Sequence, residues 1–387
     1  MNPMVATYVC GFFSLSLVQM VAIVTPLWGN QLGLSVMLIG WAAGARSVAP
    51  LVYSIHFGSL MDIIGVRRLM VFFTAQCALL PILYPLLPYG WSFLLLQLFL
   101  GLASVTAWLA AQVAIGRNAN GSTLHTGWFS FWTTAGTVIG PLSLGVAWDK
   151  LGPTGGFSVL AAWGAGLFIS SILLPRRRDV VRQPLRASML VPRFANYAIG
   201  LGMLRRPIAL FVISATFLRL GAVSMLESFY PLLLHGLGFS ASTIGMLFAI
   251  GNVASSPSAL MAGKWVQLCG SPRRALTLSV ALSILATTAL PWFDSFWQFA
   301  VASSVFGFGI GISMPLIFTL LSEEISPNQQ GVAAGLRATA NRLAAFLLPV
   351  LMGGLAELAG VGAAFWVIGV VLLMVLASVE LVFHKRV

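Results

Sequence analysis

Stretches of about twenty apolar residues, separated by short polar turns, recur along the chain, and each is long enough as a helix to cross a hydrocarbon layer of ~30 Å. The pattern predicts twelve transmembrane helices, at 8–28, 36–57, 69–88, 91–115, 124–147, 154–174, 207–234, 242–263, 275–293, 296–321, 331–356 and 361–383. One long polar segment, 175–206, holds Arg176, Arg177, Arg178, Arg182, Arg186, Arg193, Arg205 and Arg206 and divides the spans six and six. The expected organisation is an N-terminal six-helix bundle over 1–174, a linker over 175–206 and a C-terminal six-helix bundle over 207–387.

The halves repeat one another. A shift of 205 residues superposes Phe12 on Phe217, Met20 on Met225, Pro26 on Pro231, Gly33 on Gly238, Gly40 on Gly245, Gly58 on Gly263, Gly65 on Gly270 and Arg68 on Arg273. A shift of 208 then pairs Gly127 with Gly335, Pro141 with Pro349, Gly145 with Gly353, Asp149 with Glu357 and Gly152 with Gly360. An even number of helices per copy gives both copies the same orientation, the parallel-repeat plan of transporters that rock two bundles about a central site.

Composition agrees with lipid as the solvent: 59% of the 387 residues are hydrophobic and 8% charged, against about 25% charged in soluble domains. In such a chain the net charge of +12 marks sidedness rather than nucleic-acid binding. Assigning loops to alternate sides places 16 of the 21 Lys and Arg on one side, four inside spans and Lys150 alone on the other, so both termini and the linker are expected in the cytoplasm. The basic, Arg-rich composition is read as that of a multi-pass inner-membrane protein, and a monomer among membrane lipids is expected. No Lys or Arg precedes the first apolar run and no small-residue cleavage site closes it, so that span is expected to stay. Cys10, Cys77 and Cys269 are scattered and read as inert, with no metal site or other cofactor.

The turn between the second and third spans reads Gly58-Ser-Leu-Met-Asp62-Ile-Ile-Gly65-Val-Arg67-Arg68. Two glycines allow close approach and a tight turn, the acid caps or pairs locally, and the arginines face an anionic leaflet. This loop resembles the cytoplasmic signature of the major facilitator superfamily, and the resemblance extends over nearly the whole chain. It implies an all-α membrane protein of the superfamily fold, two pseudo-symmetric six-helix bundles around a central cavity, in which Asp62 with Arg67 or Arg68 latches the bundles. The second copy, Gly263, Gln267, Gly270 and Arg273, lacks the acid. In the fifth span Gly136-Thr-Val-Ile-Gly140-Pro141-Leu-Ser-Leu-Gly145 resembles the glycine-proline element of the superfamily's exporters, although ordinary small-residue packing explains it as well.

Three arginines fall deep within spans. Arg46 lies ten residues into the second, Arg219 twelve into the seventh and Arg342 eleven into the eleventh, roughly 15–18 Å from the nearer surface. A cation there costs several kcal/mol unless it meets a partner or a watery cavity, and snorkelling or backbone pairing is the plain alternative. Their counterparts under the shifts are Gly251, Ser14 and Thr134, so none is repeated, as an asymmetric ligand would require. Guanidinium groups suit carboxylate, phosphate or sulfate. Gln19, Asn252 and Asn341, with Trp108, Trp128, Phe131 and Trp132, are the expected polar and aromatic lining. Glu227 is the carboxyl available for a coupling proton or an outer salt bridge.

The expected activity is therefore secondary transport of a small organic anion or amphiphile by alternating access. Proton-coupled multidrug efflux, on the same fold, stays open. The superfamily's proton-coupled members often carry an acid in the first span and an arginine four residues before the glycine of the fourth, whereas this chain has no such acid and has Gln97 before Gly101. A lipid-modifying membrane enzyme finds no support, because His56, His125, His235 and His384 are isolated and no Ser-His-Asp or metal-spaced cluster is visible. A receptor would need a soluble domain longer than the roughly 30-residue linker, and no Gly-x-x-x-x-Gly-Lys-Ser/Thr loop for ATP is present.

Overall fold

In the computed structural model the backbone is described for residues 3–119, 122–175, 202, 204–324 and 330–384, and side chains for these except 3, 54–59, 62–63, 322–324, 330–334 and 384. The helices are α1 (Pro3–Gln31), α2 (Val36–Ile64), α3 (Val66–Leu86), α4 (Gly90–Asn118), α5 (Thr123–Ile172), α6 (Pro207–Gly236), α7 (Ala241–Leu260), α8 (Ala262–Cys269), α9 (Pro272–Thr288), α10 (Phe296–Glu324), α11 (Gln330–Ala359) and α12 (Val361–His384). Among the described residues, eleven of these helices are long and apolar enough to cross a membrane. At 50 residues α5 is long enough to cross twice. The two spans expected at 124–147 and 154–174 are its two arms. Where a polar loop was expected, the chain spends a single residue, Gly152, at φ +65°, and Pro153 starts the second arm. The expected linker lies almost wholly outside the described residues.

Two compact units emerge. The first takes the described residues of Met1–Pro192 with Gly238–Ala249, and the second those of Arg193–Leu237 with Ile250–Val387, so α7 starts in one and ends in the other. In the first, α1 packs against α5 and α4, α3 against α5 and α4, and α2 against α4. In the second, α6 packs against α11 and α12, and α9 against α10 and α12.

The repeat governs how the turns are made. Positive φ is adopted by Gly33, Gly65, Gly152, Gly238, Gly270 and Gly360, which are three pairs under the shifts read from the sequence. At Gly65, φ +94° joins α2 directly to α3, a conformation that a Cβ disfavours. Serine hydroxyls cap the following helices: Ser35 Oγ accepts from the Leu38 amide at 3.2 Å, and Ser271 Oγ from the Arg274 amide at 3.2 Å.

Helix crossings repeat too. A Cβ on Gly101 would strike the Arg46 backbone, and one on Gly307 the Gly251 carbonyl, the same crossing in each copy. Beside the first, the Gln97 amide donates to Thr25 Oγ1 at 2.8 Å, and beside the second, Tyr230 and Ser303 share a hydrogen bond of 3.2 Å. Thr25 pairs with Tyr230 under a shift of 205, and Gln97 with Ser303 under 206. With little hydrophobic drive between helices in lipid, small residues and interhelical hydrogen bonds of this kind hold the bundle.

Candidate functional site

Intramembrane cations mark the place to look, because each carries a solvation cost of ~2.5–3.5 kcal/mol at a helix centre on insertion scales. In the first unit Arg46 leaves α2 at its crossing with Gly101 and turns back along its own helix, its Nε donating to the Ala43 carbonyl at 3.1 Å.

In the second unit two guanidinium groups meet one face of α10. Arg219 of α6 donates through Nε to Ser313 Oγ at 2.8 Å and through Nη2 to the Ile310 carbonyl at 3.3 Å. Ser313 donates its own hydroxyl proton to that carbonyl at 2.8 Å, which leaves its oxygen free to accept from Arg219. One turn along, Arg337 of α11 lies over the Phe318 ring, 4.4 Å from the centroid, with Nη1 3.9 Å from Met314 Sδ. Met314 and Phe318 are i and i+4, so they present one surface. Among the described residues the Nε of Arg337 is buried with no hydrogen-bond partner, and so is Oδ1 of Asn341, one turn further along α11. Among the described residues neither Arg219 nor Arg337 is paired with a carboxylate. Their partners are a hydroxyl, a carbonyl, a thioether and a ring.

Levels along the bundle agree with this geometry. Arg219 is twelve residues past the start of α6, and Ser313 eleven before the end of α10. Arg337 is seven past the start of α11, and Phe318 six before the end of α10. At 1.5 Å per residue the two cations differ in depth by roughly 7 Å.

Arg337 lies six residues into the expected eleventh span, nearer its end than the three arginines singled out by depth, and α11, starting at Gln330, carries it two turns inside. Arg342, which it did single out, is half-buried on the same helix. Gln19, Asn252 and Glu227 are half-buried on α1, α7 and α6. Trp128 and Trp132 project from the first turns of α5, 48% and 40% exposed, each edge-on to Phe131. Trp132 also meets Phe12 of α1 at 6.3 Å, whereas Trp108 stacks on the buried Phe129 at 6.2 Å.

The signature turn has a structural outcome of its own. Arg67 donates through Nε and Nη2 to the Ile172 carbonyl, at 3.0 and 2.6 Å, binding the start of α3 to the end of α5 within the first unit. Arg273 does the same in the second, donating to the carbonyls of Phe383 and Glu380 at 2.7 and 2.9 Å and pairing with the Glu380 carboxylate at 3.2 Å. In its hydrogen bonding Arg67, not the exposed Arg68 that the 205 shift aligns, is therefore the structural counterpart of Arg273. Gly58 and Asp62 fall outside the described side chains.

The glycine-proline element divides its work. Gly136 and Gly140 seat α5 on α1, where a Cβ would meet the Phe12 carbonyl and the Met20 sulfur. On the other side Gly145 receives Ala241, and the Pro141 carbonyl approaches Gly245. At the bend, Asp149 caps α7, with Oδ1 and Oδ2 accepting from the Ala241 and Ser242 amides at 2.8 Å each.

The chain is 27% identical over 312 residues to the multidrug resistance protein MdtG of Citrobacter koseri, covering 76% of this chain and 74% of the relative. It is 26% identical over 309 residues to the protein of the same name from Escherichia fergusonii, covering 76% and 73%. In three dimensions it resembles the nucleoside transporter NupG, with a TM-score of 0.81, 14% identity and 99% of both chains covered. It also resembles the human organic anion transporter MFSD10, with a TM-score of 0.63, 16% identity and 97% and 98% covered. At such identities the structures speak for the fold alone. A sequence profile of the Major Facilitator Superfamily matches residues 7–233 and again 212–386, and the chain belongs to that superfamily of multi-pass membrane transporters.

Proposed function

We propose that this transporter is a secondary exporter of amphiphilic organic solutes bearing a negative charge, working by alternating access of its two repeated halves. One observation carries the charge preference: Arg219 sits about 18 Å into its helix and is met by Ser313 and the Ile310 carbonyl rather than by an acid, so its charge remains to be balanced. Export is supported by similarity to proteins named for multidrug resistance and by the glycine-proline packing of α5. Arg46 and Arg342, with Gln19, Asn252, Asn341, Trp128 and Trp132, are the further residues assigned to solute contact, and Glu227 to a coupling proton. The distribution of arginine supports an orientation with both termini in the cytoplasm.

The second reading, proton-coupled multidrug efflux, with cationic drugs as the contrasting charge class, is supported by relatives named for multidrug resistance. The two are separated by flux measurements in proteoliposomes with carboxyfluorescein and ethidium. Carboxyfluorescein flux that falls at least tenfold in Arg219→Gln is the expected result. Ethidium flux with no carboxyfluorescein flux would overturn the anionic reading. Loss of proton movement in Glu227→Gln tests its assignment, and unchanged coupling removes it.

A further inference from the structure

Arg337 has no place in the sequence-derived site, yet its surroundings are unusual for a structural arginine. Its guanidinium carbon lies over the Phe318 ring and its Nη1 reaches only a thioether, while Nε–H is buried with no hydrogen-bond partner among the described residues. One turn away the Asn341 carbonyl oxygen is buried and equally unserved. Exchange of the Asn amide's O and N, which resemble each other in shape, would present N–H donors at the same spot. Across α10 the Arg219 guanidinium spends Nε and Nη2 on Ser313 and Ile310 and keeps Nη1 unengaged. Two like charges and unserved donors collect where lipid provides neither counterion nor water. An oxyanion bridging them would remove both penalties.

We propose that Arg337, Asn341 and Arg219 form an oxyanion seat on the Ile310–Phe318 face of α10, taking a carboxylate, sulfonate or phosphate ester whose apolar body lies along Met314 and Phe318. The seat deepens the reading of an anionic solute given above and rests on it. Arg337 supplies the N–H donor that is empty before binding, and Arg219, already fixed by Ser313, supplies charge at the deeper level. Fixed guanidinium geometry is suited to the planar oxygens of such groups.

The test uses the purified full-length protein in detergent, with thermal unfolding read against benzoate, benzenesulfonate and phenyl phosphate, and with benzyl alcohol and benzylamine as uncharged and cationic analogues. The anions are expected to raise the midpoint and the two analogues not. Arg337→Gln is expected to abolish that rise while leaving the unliganded midpoint equal or higher, because a like-charge neighbour and an unserved donor are gone. Arg337→Lys, which keeps the charge but loses the planar fork, is expected to retain part of the rise. A merely structural arginine would instead lower the unliganded midpoint and leave the anion response of the surviving protein intact, and that result would overturn the seat. Anions that stabilise through Arg337 but are not moved in proteoliposomes would uphold the seat and overturn the transport reading. Anions that are moved equally by native protein and Arg337→Gln would do the reverse.

Discussion

Replacing Asp149 by Ala removes one carboxylate and frees two backbone N–H groups in the first turn of α7. Those amides belong to the set at any helix start that has no intrahelical acceptor, so the aspartate serves donors that otherwise only water can reach. Each bond is 2.8 Å, the length of a charge-assisted contact. A capping side chain contributes ~1 kcal/mol and a negative charge at a helix N-terminus another ~0.3–1 kcal/mol. Because Asp149 is exposed, solvent screening holds the total to about 1–2 kcal/mol rather than the higher figure for two buried bonds. At ~1.4 kcal/mol per factor of ten, this corresponds to roughly 5- to 30-fold faster amide exchange at Ala241 and Ser242. Thr243 is the built-in reference, since its amide is held by Ser240 Oγ at 3.3 Å. Hydrogen–deuterium exchange with peptide resolution across 238–249 measures the effect, and Asp149→Asn, which keeps one acceptor and loses the charge, should fall between. Equal exchange in native and Asp149→Ala protein at Ala241 and Ser242 would refute the account.

The Gln97–Thr25 bond should show an order that depends on which partner is lost. Thr25→Val strands the whole buried Gln97 amide, whose Oε1 already lacks a partner, and should destabilise by ~1–3 kcal/mol, whereas Gln97→Leu removes the demand and should cost less than ~1 kcal/mol in thermal unfolding. The reverse order would sink the argument. Along α5, Gly136→Ala forces a methyl into the Phe12 carbonyl and should cost ~1–3 kcal/mol or more. Gly127→Ala, where nothing lies within 4 Å, should stabilise by ~0.5–1 kcal/mol, and similar midpoints for the two variants would count against the packing described.

Much of the fold was legible because lipid leaves few options: an apolar run of twenty residues must satisfy its own backbone, so it becomes a helix. The glycine pairs were legible for a related reason. Gly33 and Gly238, Gly65 and Gly270, and Gly152 and Gly360 recur at fixed shifts because a left-handed turn is needed in both copies. What could not be read was which side chain meets which helix. The depth of Arg219 followed from counting, but its tie to Ser313, 94 residues away, is tertiary. Arg337 was missed because depth alone ranked it below Arg342 on the same span, and its contacts with Met314 and Phe318 are tertiary. Arg67 and Arg68 are adjacent and alike in composition, and only packing decides that Arg67 reaches Ile172.

The matched turn glycines let this molecule serve as its own yardstick. A methyl added at Gly65 and another at Gly270 each meet a positive φ, +94° and +81°, in one chain and one bilayer, with ψ at 136° in the first and −14° in the second. Subtracting one lesion from the other cancels what detergent and lipid contribute in common, and leaves the part owed to divergence between the duplicates, the difference in ψ included. Such a difference measures how far the two duplicated turns have drifted apart while keeping a glycine at positive φ.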